Sequence, residues 1–132
     1  GGACRARIEM EGTADKRQTM AISNEQTRHH PFLQEMYEDD YFPNHLVDRG
    51  RLILQRLCTR IEAEQPAGLP ALYALTHAAT EEFNALATVF ESHDSEIETA
   101  ARDCIAADFK TIAHAYGFAG ADIEQMIAPR EW

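Results

Sequence analysis

The sequence predicts an all-α protein, an up-down-up bundle of three long helices with short flanking helices at each end. Apolar residues recur at three- and four-residue spacing in three stretches of about 21 residues each. Short polar or Pro- and Gly-containing loops separate those stretches, and no segment alternates apolar and polar residues as a strand does. Long helices joined by short loops must run antiparallel to their neighbours.

The central helix is predicted over residues 69–90. Pro70 suits its first turn, where the missing N–H would have no partner, and breaker clusters flank it on both sides. Its polar residues include His77 and Glu82, and their positions raise the question of whether they have a chemical role. The apolar face is formed by Leu72, Leu75, Ala79, Phe83, Leu86 and Phe90.

Residues 1–28 are polar, aperiodic and poor in large apolar side chains. They are predicted to be a disordered lead-in, or an extension upstream of the native start. Residues 29–132 are predicted to form a single helical-bundle domain.

The first half of that domain holds a short helix that starts at Pro31 and a long one that Asn44 caps and that ends near Glu64. Gly50, in the middle of the long helix, predicts a close approach of another helix, because glycine costs about 1 kcal/mol there against alanine.

The second half opens with a serine followed three residues later by glutamate, Ser95 and Glu98, which predicts a capping box. Gly117 predicts a left-handed cap at the end of this helix. Asp122 begins a last short helix and Pro129 stops it.

Composition narrows the classes of function. The chain has 12 Lys and Arg against 22 Asp and Glu, a formal net charge of -10. Such a surface repels nucleic acid and anionic membranes, and a basic protein is its natural electrostatic partner. The chain has three cysteines, Cys4, Cys58 and Cys104, and they form no CxxC motif. A zinc or redox site is therefore not predicted, and the predicted location is the reducing cytoplasm.

Cys58, His77 and Asp108 are weak candidates for a catalytic or metal-carrying cluster. Reflecting the helices through their connecting loops puts Cys58 level with Thr76, and Asp108 level with Ala79. Asp108 lies on an apolar face, where a carboxylate needs a partner, and His77 is the predicted one. In such a cluster the Cys58 thiolate would be the nucleophile, with His77 as its base and Asp108 as the acid that orients the base. The favoured interpretation is structural: a histidine–carboxylate pair fixes the helix register, and the cysteine is inert.

Glu38, Asp39 and Asp40 precede two aromatic residues, Tyr41 and Phe42, and form a candidate docking patch. More commonly, the acidic residues of such a run are solvent-exposed and the aromatic residues pack in the core. No calcium-loop spacing is present, and no metal or cofactor is predicted.

Several runs in the domain resemble a family of small bacterial proteins, domain of unknown function 5713. They are MYEDDYFP at 36–43, ALYALTHAATEEFN at 71–84, SEIETAARDCIAADF at 95–109, AYGF at 115–118 and IAPREW at 127–132. The resemblance covers residues 31–132. It implies a compact, cytoplasmic helical protein and implies no activity.

The preferred hypothesis is a non-enzymatic module that binds a basic protein through its acidic face, with a toxin-neutralising immunity protein as one concrete form. The alternative is a small enzyme or ligand carrier that uses the Cys58–His77–Asp108 cluster. A third option is a homo-oligomer formed through exposed aromatic residues, for which Tyr41, Phe42 and Trp132 are the candidates.

Overall fold

The computed structural model describes residues 22–132, which contain six helices. Within that range no residue lies in a strand. The all-α prediction, with three long helices and short helices at each end, is confirmed. Most of the predicted lead-in, residues 1–21, lies outside the described residues. The short helices are α1 (Glu25–His29), α2 (Gln34–Tyr37) and α6 (Ile123–Met126), and the long ones are α3 (Asn44–Glu64), α4 (Leu69–Ser92) and α5 (Thr99–Ala115).

Helices α3 and α4 form the most extensive helix pair and run antiparallel. Arg56 near the middle of α3 contacts Glu82, and His45 at the start of α3 lies beside His93 at the end of α4. Residue numbers therefore rise along one helix as they fall along the other.

Helix α5 reverses direction again. The Ser95 N–H donates to the Phe90 carbonyl, and the Phe83 ring lies 6.2 Å from the Phe109 ring. These contacts show α4 and α5 running antiparallel, as the up-down-up prediction requires. Helix α5 also packs against α1, α2, α3 and α6, so the short helices cover the bundle core. The largest fully buried side chains include Phe83, Phe90, Phe109, Leu54, Leu72 and Ile105.

Three helix starts differ from the prediction. Helix α2 begins at Gln34, not at Pro31. Pro43, not Asn44, is the N-cap residue of α3, and no side chain caps that end. Glu98 caps α5, its carboxylate accepting two backbone N–H groups of the first turn at 3.0 and 3.2 Å. The Ser95 hydroxyl, predicted to cap, instead donates to the Tyr41 carbonyl.

Two predicted helix boundaries are confirmed. Gly117 adopts φ +89 after α5, and the next N–H, that of Phe118, donates to the Ala113 carbonyl at 2.8 Å, which satisfies an end carbonyl as a left-handed cap does. The Asp122 side chain accepts the Glu124 N–H at the start of α6.

Gly50 lies at the predicted close approach. A Cβ atom on Gly50 would lie 2.9 Å from Leu33 Cδ1 and 3.2 Å from Phe83 Cε1. A larger residue at position 50 would thus force Leu33 or Phe83 to move, so glycine suits the close packing of α3 against α4 and the residues before α2.

The domain begins earlier than the predicted residue 29. Ile22 is buried in the core, and residues 25–29 form α1, which packs on α5. The α1 N-cap is Asn24, whose side chain accepts the N–H of the buried Thr27. Residues 22–28 were predicted to be disordered because they are poor in apolar residues, whereas polar contacts hold most of them in place. Among the helices of residues 22–132, none combines the length and the apolar character that crossing a membrane requires.

Candidate functional site

Cys58, His77 and Asp108 each bind a different partner, so the predicted cluster has no contact to support it. The structure places His77 against the C-terminal segment, Cys58 against α1 and the end of α5, and Asp108 against the residues before α2. The prediction that His77 is the partner of Asp108 is wrong. Within the described residues, no three His, Cys, Asp or Glu side chains are grouped to hold a metal ion.

His77 belongs to a polar stripe on α4, formed by Tyr73, His77, Thr80 and Asn84, that holds the C-terminal segment. The His77 Nε2–H donates to the Gln125 carbonyl at 2.6 Å, and the Thr80 hydroxyl lies 3.1 Å from the Met126 carbonyl. Further along, Asn84 both donates to a carbonyl and accepts an N–H of residues 129–131. Residues at this spacing share one helix face, so the stripe is a structural clasp.

The C-terminal segment ends on the bundle at Trp132, a residue that the sequence suggested as an exposed aromatic. Its ring lies 6.1 Å from the Phe83 ring, edge on. Glu82, the other polar residue of α4 that raised a chemical question, pairs with Arg56 on α3 at 2.5 Å. Both side chains of this pair are substantially exposed, so it contributes little to stability.

Asp108 is buried and satisfied. One carboxylate oxygen, Oδ2, accepts the Leu33 N–H at 2.7 Å. The other, Oδ1, lies 2.8 Å from His30 Nε2. Burial raises the pKa of Asp108, while the bonds to His30 and Leu33 oppose that rise. Leu33 has a left-handed backbone, φ 59, which is costly for a residue with a side chain, and its bond to Asp108 helps to hold that conformation.

Both described thiols are poor nucleophiles. Burial raises the pKa of Cys58 to about 12 and that of Cys104 to about 11, the latter with a contribution from the nearby Asp108 charge. The thiolate is the reactive form of cysteine, and it is scarce at neutral pH at either position. The burial of Cys58 therefore weighs against the nucleophilic role that the catalytic hypothesis gives it.

An open cleft of about 400 Å³ lies where α3 ends near the end of α5. Its one carboxylate, Glu62, accepts the backbone N–H groups of Ser23 and Asn24, the Ser23 hydroxyl and the Tyr116 hydroxyl. Since those donors occupy the carboxylate, Glu62 anchors the N-terminal residues and is not free for a ligand. The cleft is lined by Ser23, Ile61, Glu62, Gln65, Pro66, Tyr116 and Phe118.

The predicted docking patch is joined by a second acidic loop. The Ser95 hydroxyl donates to the Tyr41 carbonyl at 3.0 Å, which ties residues 91–98 to residues 38–43. We call these two segments the acidic end of the bundle. Their acidic side chains are all exposed, and none forms a salt bridge with another described residue. They are Glu38, Asp39, Asp40, Glu91, Asp94, Glu96 and Glu98.

The two aromatic residues of the patch have opposite environments. Tyr41 is 45% exposed, whereas Phe42 is 3% exposed, with its ring 6.3 Å from the Phe90 ring. The prediction that Phe42 is an exposed docking or oligomer contact is therefore wrong. Phe42 anchors the loop in the core and so positions Tyr41 at the surface.

The second acidic loop was not singled out in the sequence. The predicted antiparallel topology could have identified this loop, because it places the start of α3 and the end of α4 at the same end of the bundle.

Comparisons with known proteins leave the activity open. No curated protein and no solved structure matches the chain. A family model matches residues 26–132, which includes all of α2 to α6 and both acidic loops. The chain thus belongs to a family of unknown function, DUF5713.

Proposed function

We propose that the protein is a non-enzymatic binding module that docks a basic protein through the acidic end of the bundle. The observation that carries this proposal is the hydrogen bond from Ser95 to the Tyr41 carbonyl, which brings two acid-rich loops together around an exposed tyrosine.

The charge of this surface favours a basic partner. Residues 38–48 and 91–101 contain no Lys or Arg, and His45 and His93 are their only basic side chains. Acidic groups held this close produce a local negative potential, which speeds encounter with a positively charged surface and opposes encounter with an acidic one.

Tyr41 supplies an anchor within that surface. Tyrosine is enriched at protein interfaces because its ring buries apolar area while its hydroxyl keeps a hydrogen-bonding partner. The Tyr41 N–H donates to the Asp39 carboxylate at 2.9 Å, so the loop is ordered before a partner binds. Such preorganisation lowers the entropic cost of association.

Three of the four arginines of α3, all but Arg49, have an acidic or aromatic neighbour. Arg51 pairs weakly with Asp48 and lies over the Tyr37 ring, and Arg56 and Arg60 pair with glutamates. This arrangement supports neither nucleic acid nor an anionic membrane as the partner.

One concrete form of the proposal is an immunity protein that neutralises a basic toxin in the bacterial cytoplasm. The acidic composition supports this form by analogy of character. The alternative enzyme or carrier has no contact among Cys58, His77 and Asp108 to support it.

The test is affinity capture with matched charge reversals. Asp40→Lys with Glu96→Lys changes one residue in each acidic loop, and Glu64→Lys with Glu81→Lys makes the same change in net charge at exposed sites elsewhere. Proteins retained from a lysate of the encoding organism are identified by mass spectrometry, and the affinity of each is then measured with purified protein at several salt concentrations.

We expect a basic protein whose affinity falls with salt and falls roughly a hundredfold on reversal of the acidic end, since like charges across an interface cost several kcal/mol. The control reversal should change that affinity little. Equal effects of the two reversals, or capture that neither reversal alters, would contradict the proposal.

A further inference from the structure

We propose that His45 and His93 form a two-histidine binding site for a divalent transition-metal ion such as Zn²⁺, Ni²⁺ or Cu²⁺. The two residues lie on different elements, His45 in the first turn of α3 and His93 directly after α4. The site does not depend on the proposed protein partner, although it lies at the same end of the bundle.

The separation of the two rings suits one shared ion. Their centroids are 5.3 Å apart and their planes are inclined by 66°. Two imidazoles bound to one tetrahedral ion through metal–nitrogen bonds of about 2.0–2.1 Å have ring centres roughly 5 Å apart. The separation of the two ring centres in the bundle therefore matches that of two imidazoles on one ion.

The nitrogen atoms needed for binding are available. His93 Nδ1 lies 3.0 Å from the Val89 carbonyl, which can only accept, so Nδ1 carries the hydrogen and Nε2 keeps its lone pair. A metal-binding histidine commonly donates its other ring N–H to a carbonyl in this way, which fixes the tautomer and the ring orientation. His45 makes no hydrogen bond to another described residue through its ring.

The surroundings favour a cation. The seven exposed carboxylates of the acidic end raise the local concentration of positive ions, and imidazole prefers zinc, copper and nickel over magnesium or calcium. Because no third protein ligand is grouped with the pair within the described residues, water completes the coordination of the ion.

Isothermal titration calorimetry with ZnCl₂ and with NiCl₂ tests the site in the whole protein. We expect one ion per chain, and about a hundredfold weaker binding after either His45→Ala or His93→Ala, because a chelate loses its second, intramolecular contact. The double variant should bind no more weakly than the weaker single variant.

His29→Ala and His114→Ala are the matched controls, since both residues are exposed and lie elsewhere. They should leave the zinc affinity unchanged. His45 and His93 are also exposed, so their variants keep the fold, which a thermal melt checks. An unchanged affinity after either His45→Ala or His93→Ala would overturn the site, and so would a loss of binding caused by His29→Ala.

Discussion

Asp108→Ala should destabilise the protein by about 1–3 kcal/mol, because a buried hydrogen-bonding group that loses its only partner is costly. The change deprives His30 and the Leu33 N–H of their acceptor. Urea unfolding followed by circular dichroism measures the change in the free energy of unfolding.

Two variants make the Asp108 result specific. Asp108→Asn keeps one oxygen that can accept the Leu33 N–H, so it should cost less than alanine. Asp103→Ala removes an exposed carboxylate from the same helix and should change stability by no more than about 0.5 kcal/mol. If Asp108→Ala costs no more than Asp103→Ala, the pair does not hold the residues before α2 in place.

Phe42→Ala should destabilise the protein by about 3–5 kcal/mol, the usual cost of truncating a buried phenylalanine. Tyr41→Ala, its exposed neighbour, should change the free energy of unfolding by about 0.5 kcal/mol or less. The same urea titration compares the two variants.

The binding assay should rank these variants in the opposite order. Tyr41→Ala should weaken capture of the basic partner while leaving the fold intact, since tyrosines are common at energetic centres of interfaces. A large loss of stability with Tyr41→Ala, or a stable Phe42→Ala protein, would mean that the exposed and buried roles are assigned to the wrong residues.

The helices could be predicted because their signals are local. Three- and four-residue apolar spacing locates α3, α4 and α5. Gly117 marks the end of α5, because glycine adopts the left-handed backbone conformation there without the cost that a side chain would add. Gly50 likewise predicted a close approach, because glycine is unfavourable within a helix unless packing requires it.

The candidate cluster failed because helix register depends on loop geometry that the sequence does not fix. Reflection through residues 65–69 placed Cys58 level with Thr76. The observed contacts of Arg56 with Glu82 and of His45 with His93 place Cys58 level with Thr80, one turn away. One turn is enough to separate side chains that must touch to react.

The need of Asp108 for a partner was predicted correctly, because a lone buried carboxylate is costly. The identity of that partner was not. His30 adjoins a stretch that reads as a disordered lead-in, and only the packing of α1 on α5 brings it to Asp108. No local pattern carries such a long-range contact.

The most direct test of the docking proposal is photo-crosslinking in living cells of the encoding organism. Benzoylphenylalanine is incorporated at Tyr41 or, as a control, at exposed Ala67 in the loop at the opposite end of the bundle. The account predicts an adduct between position 41 and a basic protein, lost when Asp40→Lys and Glu96→Lys are added, and no such adduct at position 67. An absence of adducts at position 41, or equal adducts at both positions, would contradict it.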